Sequence, residues 1–573
     1  MKASEKPSFL KSLLGFGQKA PVRAPLPLYI PIPMLKAEKE PTTNIEAAWK
    51  KVMQNRLGPL VVLQEANRYL DRINPMPLPY EQRTRLSNIV LTEVATAIGS
   101  LFARFFHQGG GIPETHEQRE GISHAVRAAE QLAISYKLLF REDWADLAED
   151  HAAQDKIMVV VLHILECVRL EQLLRAFRYQ KLPQHAWRDS NQLFFALRNG
   201  WDIRVRFPLK LRLSVEDKAS RVDLFPQMAS VEQLYLSIQL TGLLDVITWP
   251  THLMFRAGSY LGDIDEPLAV KDDKGDAVPP GHIIIYHNQG TPPRFSRPQD
   301  QLGEAILIDI NPIIGRAAQD RASLTASQDA PIASETLRSI SERDRLPFLD
   351  LLLHRLQPHK RRDERHRVFE ARRARVYGGF EAAYRVFRDI SRKDKEQEEM
   401  VNERHFWDSL AEHTSIVSDS DDPSQESHWV IADEGSGGVQ LRQQEVDYSM
   451  PLYVGRLVAY NSGEEDLGNN RLGYVVRLQR IGVDEVEVAI ARLREDIQAA
   501  VVEDLEAMDH HTMPALLIRD LDGKLQLLCD NKYKFITGER LAVMNGDQHY
   551  TGALGNIVVA QADFTVFELH TAV

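Results

Sequence analysis

The sequence predicts an α+β multidomain protein, in which an all-helical N-terminal domain is followed by two small antiparallel β-barrels. From about residue 43 to residue 261, apolar residues recur at the i, i+3, i+4 and i+7 spacing of amphipathic helices. From residue 428 to the end, short apolar runs alternate with Gly, Asn and Asp turns, as β-strands do. Part of this β region occurs twice. The 573 residues allow three or four domains, at about 100–200 residues each.

The domain boundaries follow from the same patterns. Closely spaced prolines in residues 1–42 predict a disordered, proline-rich tail. The helical domain is predicted over residues 43–265, and a small β element with a linker over residues 266–332. Residues 333–500 are predicted to form the first barrel, which carries a charged helical insertion at about residues 380–427. Residues 505–573 are predicted to form a second, degenerate barrel.

The internal repeat supports the prediction of two related barrels. A Gly-Arg-Leu-Val-Ala-Tyr-Asn run begins at Gly455, and a second glycine-led strand follows 18 residues later at Gly473. A similar run begins at Gly538, and its glycine-led strand follows 17 residues later at Gly555. Such a self-similar spacing is typical of a duplicated structural unit.

Composition limits the kinds of partner. The net charge of -12 and the pI near 5.9 make the chain a poor non-specific binder of nucleic acid, so any anion site must be local. The only cysteines, Cys167 and Cys529, are far apart in apolar runs, which favours buried thiols in a reducing compartment and argues against thiolate zinc sites. No apolar stretch has the ~18 residues of a membrane-spanning helix. We therefore expect a cytoplasmic protein.

A basic segment reverses the charge of the chain locally. Between Leu356 and Tyr377 there are eight Lys or Arg residues and three acids. Arg361 and Arg365 form an Arg-x-x-x-Arg pair, and guanidinium groups suit phosphate and the Hoogsteen edge of guanine. The alternative is a solvated helix end, in which Asp363 and Glu364 pair with the arginines.

A glycine-rich turn follows a predicted strand at Asp433–Gly438. Backbone N–H groups in such a turn can approach an anion or a base closely, and the Asp433 carboxylate can accept hydrogen bonds from guanine. The alternative is an ordinary hairpin turn.

Together the two motifs resemble the PilZ family of cyclic di-GMP receptors, which are small β-barrels. That family has an Arg-x-x-x-Arg segment ahead of the barrel and a [Asp/Asn]-x-Ser-x-x-Gly turn between early strands. Asp433 and Gly438 match the ends of the turn, Gly435 occupies the serine position, and the hydroxyl lies one place later. The resemblance implies that cyclic di-GMP binds to Arg361, Arg362, Arg365, Arg367, Asp433, Gly435, Ser436, Gly437 and Gly438.

The resemblance implies a signalling effector in which nucleotide binding is coupled to domain rearrangement or to partner binding. We expect a protein partner to bind the helical domain or the second barrel, which lacks both motifs. We expect no catalytic activity, cofactor, metal site, or DNA or RNA binding. The alternatives are a nucleic-acid-binding barrel protein and an interaction scaffold that has lost its ligand.

Overall fold

The computed structural model describes the greater part of the chain. The described residues are 26–31, 45–53, 58–105, 115–145, 151–198, 200–217, 220–262, 270–272, 282–297, 300, 305–326, 332, 334–358, 366–367, 372–398, 426–435, 437–443, 450–461, 470–482, 485–493, 496–506, 512–519, 523–546, 548–561 and 563–571.

The N-terminal region is built mainly from long helices. They are α1 (Ile45–Met53), α2 (Pro59–Ile73), α3 (Tyr80–Phe105), α4 (His116–Ala145), α5 (His151–Phe177), α6 (Gln184–Arg198), α7 (Val231–Leu243) and α8 (Thr251–Gly262). Short strand pairs join them, namely β1 (Phe207–Pro208) with β4 (Met228–Ala229), and β2 (Ser214–Asp217) with β3 (Ser220–Asp223).

Helices α4 and α5 form the centre of the helical domain, because their apolar faces bury residues such as Leu132, Tyr136, Val161 and Leu165 completely. Among the described residues, α3 is the one helix long and apolar enough to cross a membrane, but more than half of its most apolar stretch is buried inside the protein. Its contacts with α2 and α4 make it a core helix of the bundle.

A four-stranded sheet adds to this core. It has the order β5-β8-β6-β7, from β5 (Val270–Asp272), β6 (His282–Tyr286), β7 (Arg294–Phe295) and β8 (Ala305–Asp309). Ile283, Ile285, Ile306 and Ile308 alternate onto the face that packs against the helices. Helices α9 (Asn311–Ala326), α10 (Glu335–Ser339) and α11 (Glu342–Arg355) complete the unit. One core therefore runs from Trp49 to Leu356, farther along the chain than the sequence suggests.

The first barrel is a closed, six-stranded antiparallel sheet. Its order is β10-β13-β14-β15-β12-β11, and β11 pairs back with β10 to close it. The strands are β9 (His366–Arg367), which lies beside β11, β10 (Arg373–Gly378), β11 (Glu426–Gly435), β12 (Gly438–Gln443), β13 (Leu457–Asn461), β14 (Asn470–Arg480) and β15 (Val486–Arg492). Alternate residues such as Val376, Ile431, Val475 and Val488 fill its interior.

The second barrel has the same topology. Its strands are β16 (Asp496–Asp504), β17 (Thr512–Arg519), β18 (Leu525–Asp530), β19 (Arg540–Asn545), β20 (Gln548–Ala560) and β21 (Phe564–Thr571), in the closed order β16-β17-β18-β21-β20-β19. Numbered from one to six along the chain, both barrels therefore have the order 1-2-3-6-5-4. Gly455 and Gly538, the glycines that open the repeat, precede the fourth strand of each barrel with φ of 91° and 96°. The predicted α+β architecture of a helical domain and two antiparallel barrels is confirmed.

The two barrels are packed against each other through the predicted insertion. Helix α12 (Phe380–Glu398) follows β10, and its Phe380, Ala383, Tyr384 and Phe387 are buried between the outer faces of the barrels. The rest of the insertion lies outside the described residues. Cys167 and Cys529 are both buried and free, as predicted.

Tyr179 is one of the residues that join the helical domain to the first barrel. Tyr179 follows α5 with φ of 56°, is fully buried, and packs within the apolar core of the barrel. Its carbonyl accepts a hydrogen bond from the backbone N–H of Arg480, at the end of β14 (3.1 Å). The helical domain is thereby anchored to one end of a barrel strand.

Candidate functional site

Two residues that follow the Arg-x-x-x-Arg pair are paired with the strand that leads into the glycine-rich turn. Arg367 lies in β9, and its backbone is opposite Asp433 in antiparallel register, while His366 is opposite Glu434. The basic segment therefore passes, at Arg367, directly beside the strand that leads into the glycine-rich turn. Arg361, Arg362, Arg365 and Ser436 lie outside the described residues, as does the side chain of Arg367.

The turn brings β12 very close to β15. Gly438 has φ of 155°, and a Cβ on it would lie 2.0 Å from the carbonyl oxygen of Ile490. Only glycine fits there, because real Cβ atoms do not approach a backbone oxygen so closely. The last glycine of the motif is thus required by strand packing.

Gly435 and Gly437 have no such constraint. A Cβ on either residue would meet no atom within 4 Å, and neither has a positive φ. Gly435 is at the end of β11, opposite Gly438, so the position that matches the family's serine faces open space. Packing therefore does not explain these two glycines.

A cluster of charged residues closes the barrel at the same end. Glu434, next to Asp433, accepts a hydrogen bond from Arg372 (2.6 Å) and another from Arg471. Arg492 lies 3.5 Å from the same carboxylate and donates through Nε to the hydroxyl of Tyr460 at 3.4 Å. We call Arg372, Glu434, Tyr460, Arg471 and Arg492 the barrel-mouth cluster.

The cluster has more positive than negative charge. Its three guanidinium groups share the Glu434 carboxylate, which leaves an excess of two positive charges among these four side chains. Burial alone would raise the pKa of Glu434, but the hydrogen bonds and charges of Arg471 and Arg372 prevail and lower it. The glutamate is therefore ionised at neutral pH.

The arginines differ in their access to solvent. The side chain of Arg372 is 46% exposed, whereas that of Arg492 is 13% exposed. Arg372 and the half-buried Arg471 can therefore meet a ligand, while Arg492 holds Glu434 and Tyr460 in place. The exposed guanidinium groups and the local excess of positive charge give this end of the barrel the chemistry that suits an anion.

The sequence patterns did not single out Arg471, Arg492 or Glu434. Arg372 is part of the basic segment, but Arg471 and Arg492 are more than 90 residues away from it and come together with it only when the barrel closes. A partial signal was present, because Glu434 lies inside the turn motif, between Asp433 and Gly435. Among the described residues, no group of three or more His, Cys, Asp or Glu side chains could hold a metal ion.

Comparison with known proteins finds one similarity, which lies in the helical domain. Residues 54–251 match a family model described as "Cyclic-di-GMP receptor FimW, N-terminal domain". No curated protein and no solved structure matches the chain. The two closed six-strand barrels that follow fit the PilZ-like architecture. The helical part of this chain is therefore similar, over residues 54–251, to the N-terminal domain of the cyclic-di-GMP receptor FimW, and it precedes two PilZ-like barrels.

Proposed function

We propose that the chain is a cyclic di-GMP receptor that binds its ligand at the mouth of the first barrel. The observation that carries this proposal is the antiparallel pairing of Arg367 with Asp433, which puts the end of the arginine segment beside the glycine-rich turn. The family of the helical domain supports the same ligand independently, because its description names a cyclic-di-GMP receptor.

The charges of the site suit this ligand. Both phosphodiester groups of cyclic di-GMP are anionic, and the barrel-mouth cluster has an excess of two positive charges. Arg361 and Arg365 precede β9 in the chain and supply further guanidinium groups for phosphate and guanine. The glycine-rich turn at Asp433–Gly438 is the part of the site that we propose contacts a guanine base.

The barrel strands connect this site to the rest of the protein. Arg471 lies near the start of β14, and Arg480 at its other end binds the carbonyl of Tyr179. They are nine positions apart along the strand, which is about 30 Å at ~3.3 Å per residue. A displacement of Arg471 toward a bound nucleotide would be transmitted along one rigid strand to the anchor of the helical domain. We propose this coupling as the output of the receptor.

A role in binding accounts for the site better than catalysis does. The charged groups of the cluster are already paired, and the carboxylate of Glu434 is held ionised by arginines, which suits electrostatic recognition and leaves no group poised to transfer a proton. A nucleic-acid-binding barrel remains the second candidate on the basis of the same basic segment. The net charge of -12 disfavours it, because the field of the whole chain repels a long polyanion.

Isothermal titration calorimetry with cyclic di-GMP tests the proposal. We expect saturable binding to the wild type and a loss of at least about 100-fold in affinity for the Arg361→Ala/Arg365→Ala double variant, since each charge-assisted hydrogen bond contributes about 1.5–3 kcal/mol. Arg519→Ala/Lys524→Ala, in the second barrel, is the matched control with the same loss of charge. We expect it to bind as the wild type does.

The outcomes separate the ligand from its site. No heat with folded wild type would contradict the receptor function itself. Binding that both double variants retain equally would leave the receptor function in place and refute the site. Tight binding of single-stranded RNA, abolished by the same two arginine substitutions, would favour the nucleic-acid alternative.

A further inference from the structure

A short segment of the predicted disordered tail lies against the helical domain. Residues 26–31 read Leu-Pro-Leu-Tyr-Ile-Pro, have no helix or strand assignment, and precede the first helix. Leu26 and Leu28 pack on the main apolar core of the domain. This part of the tail is therefore held in place by specific contacts, in a groove formed by α4 and α6.

One residue of the segment is recognised through its backbone. The N–H of Tyr29 donates to both carboxylate oxygens of Asp189, at 3.1 and 3.3 Å, and its carbonyl accepts from Nζ of Lys137 at 3.5 Å. Lys137 and Asp189 also pair with each other at 2.5 Å. A single ion pair thus binds both backbone polar groups of one residue, Tyr29.

That ion pair is deeply buried. The side chains of Lys137 and Asp189 are only 4% and 1% exposed. Burying two charges costs free energy that their mutual attraction often fails to recover, unless further hydrogen bonds use their remaining donors and acceptors. Tyr29 supplies those hydrogen bonds, so the pair is satisfied when an extended peptide occupies the groove.

The side chains of the segment add selectivity. The ring of Tyr29 stacks on His185 with 4.2 Å between the centroids and 30° between the planes. Leu26 and Leu28 fill apolar positions, and the intervening Pro27 is exposed. Prolines restrict the free peptide to extended conformations, which lowers the entropy lost on binding.

We propose that the groove between α4 and α6 is a peptide-recognition site for an extended, proline-flanked Leu-x-Leu-Tyr segment, which the chain fills in cis and a partner protein can fill in trans. The segment joins no sheet, and its described hydrogen bonds to the helices run through the backbone of Tyr29, so it can leave without unfolding the helices. A partner peptide therefore has to compete with it.

Fluorescence anisotropy with a labelled peptide of residues 24–33 tests this on the full chain. In the Tyr29→Pro chain, the cis segment lacks both the N–H that Asp189 accepts and the ring that stacks on His185. We expect this chain to bind the peptide at least about tenfold more tightly than the wild type, because its own segment competes less well. Tyr29→Phe keeps the N–H and the ring, so we expect this control to behave as the wild type. A labelled peptide with proline in place of tyrosine should bind neither chain.

Several results would overturn the proposal. One is the absence of saturable binding to a Tyr29→Pro chain that has a native circular dichroism spectrum and urea midpoint. Another is an unchanged affinity for the labelled peptide when His185→Ala is added to the Tyr29→Pro chain, since the peptide would then bind elsewhere.

Hydrogen exchange on the wild type gives a test that needs no variant. We expect the Tyr29 amide to exchange faster than the amides of α4 and α5. If it exchanges only with global unfolding, the segment is a fixed part of the fold and cannot be replaced. If the wild type were a dimer and the Tyr29→Pro chain a monomer, the groove would bind a second copy of the chain. That result would refute a separate partner protein.

Discussion

Substituting serine for Gly435 places a hydroxyl at the position where the PilZ turn has one. The structure allows this change, because a Cβ at Gly435 meets no atom within 4 Å and the residue has no positive φ. Gly438, three residues later, offers a matched control. The same substitution there puts the Cβ 2.0 Å from the carbonyl oxygen of Ile490 and 3.2 Å from Cα of Ala491.

The two substitutions should therefore have opposite effects. One additional hydrogen bond to the nucleotide contributes about 0.5–1.5 kcal/mol, so Gly435→Ser should bind cyclic di-GMP about two- to tenfold more tightly. Its free energy of unfolding should stay within about 0.5 kcal/mol of the wild type. Gly438→Ser should lose at least about 2 kcal/mol of stability and most of its affinity, because β12 must separate from β15 and the residue must keep a backbone conformation that favours glycine.

Calorimetry with cyclic di-GMP and urea unfolding of the same samples measure both quantities. The reasoning about the turn fails if Gly435→Ser folds as the wild type does but binds with unchanged or lower affinity, because the serine position would then not face the ligand. It also fails if Gly438→Ser folds and binds normally, because the close approach of β12 to β15 would then be wrong.

Two further predictions concern charged groups. Replacing Glu434 with Gln leaves three arginines without their carboxylate. We expect urea unfolding to show a loss of about 1–3 kcal/mol in stability, and calorimetry to show tighter binding of cyclic di-GMP. Weaker binding would mean that Glu434 contacts the ligand. The pKa of His185 is lowered by burial and by the charge of Lys137, with Asp189, Glu130 and Arg175 also nearby. Below the ordinary histidine pKa of about 6.5, the unfolded chain binds more protons than the folded chain. The contribution of neutral His185 to the free energy of unfolding is therefore fully present above that pH and decreases below it. Between pH 7.5 and pH 5.5, the free energy of unfolding measured in urea should fall less for His185→Gln than for the wild type. Equal decreases would show that His185 does not contribute to the pH dependence of stability.

The sequence alone was sufficient for the architecture. Helical periodicity and strand-length apolar runs are local patterns, and each reports directly which face of an element is buried. The repeat that begins at Gly455 and Gly538 likewise predicted two related barrels, and the identical strand order and the positive φ of both glycines agree with it. Cys167 and Cys529 were recognisable as buried thiols from their apolar neighbours.

The site was only half accessible from the sequence. Motif order pointed to Asp433–Gly438 and the arginine segment, because both are contiguous in the chain. The barrel-mouth cluster was not visible, since Arg372 precedes β10 while Arg471 and Arg492 lie in β14 and β15. These arginines converge on Glu434 only through the closure of the barrel. Similarly, the docking of Tyr29 depends on Lys137 and Asp189, which belong to two helices far from the tail in sequence.

Local composition therefore determined which segments are helices, strands and turns, and which glycine-rich turn is worth testing as a ligand site. Only the tertiary structure distinguishes the two glycines: the backbone of β15 requires glycine at position 438, whereas packing does not require it at position 435. The tertiary structure also determines which arginines share the Glu434 carboxylate. Electrostatic clusters and close backbone contacts depend on distances between chain segments that lie far apart in sequence, and no local pattern encodes those distances.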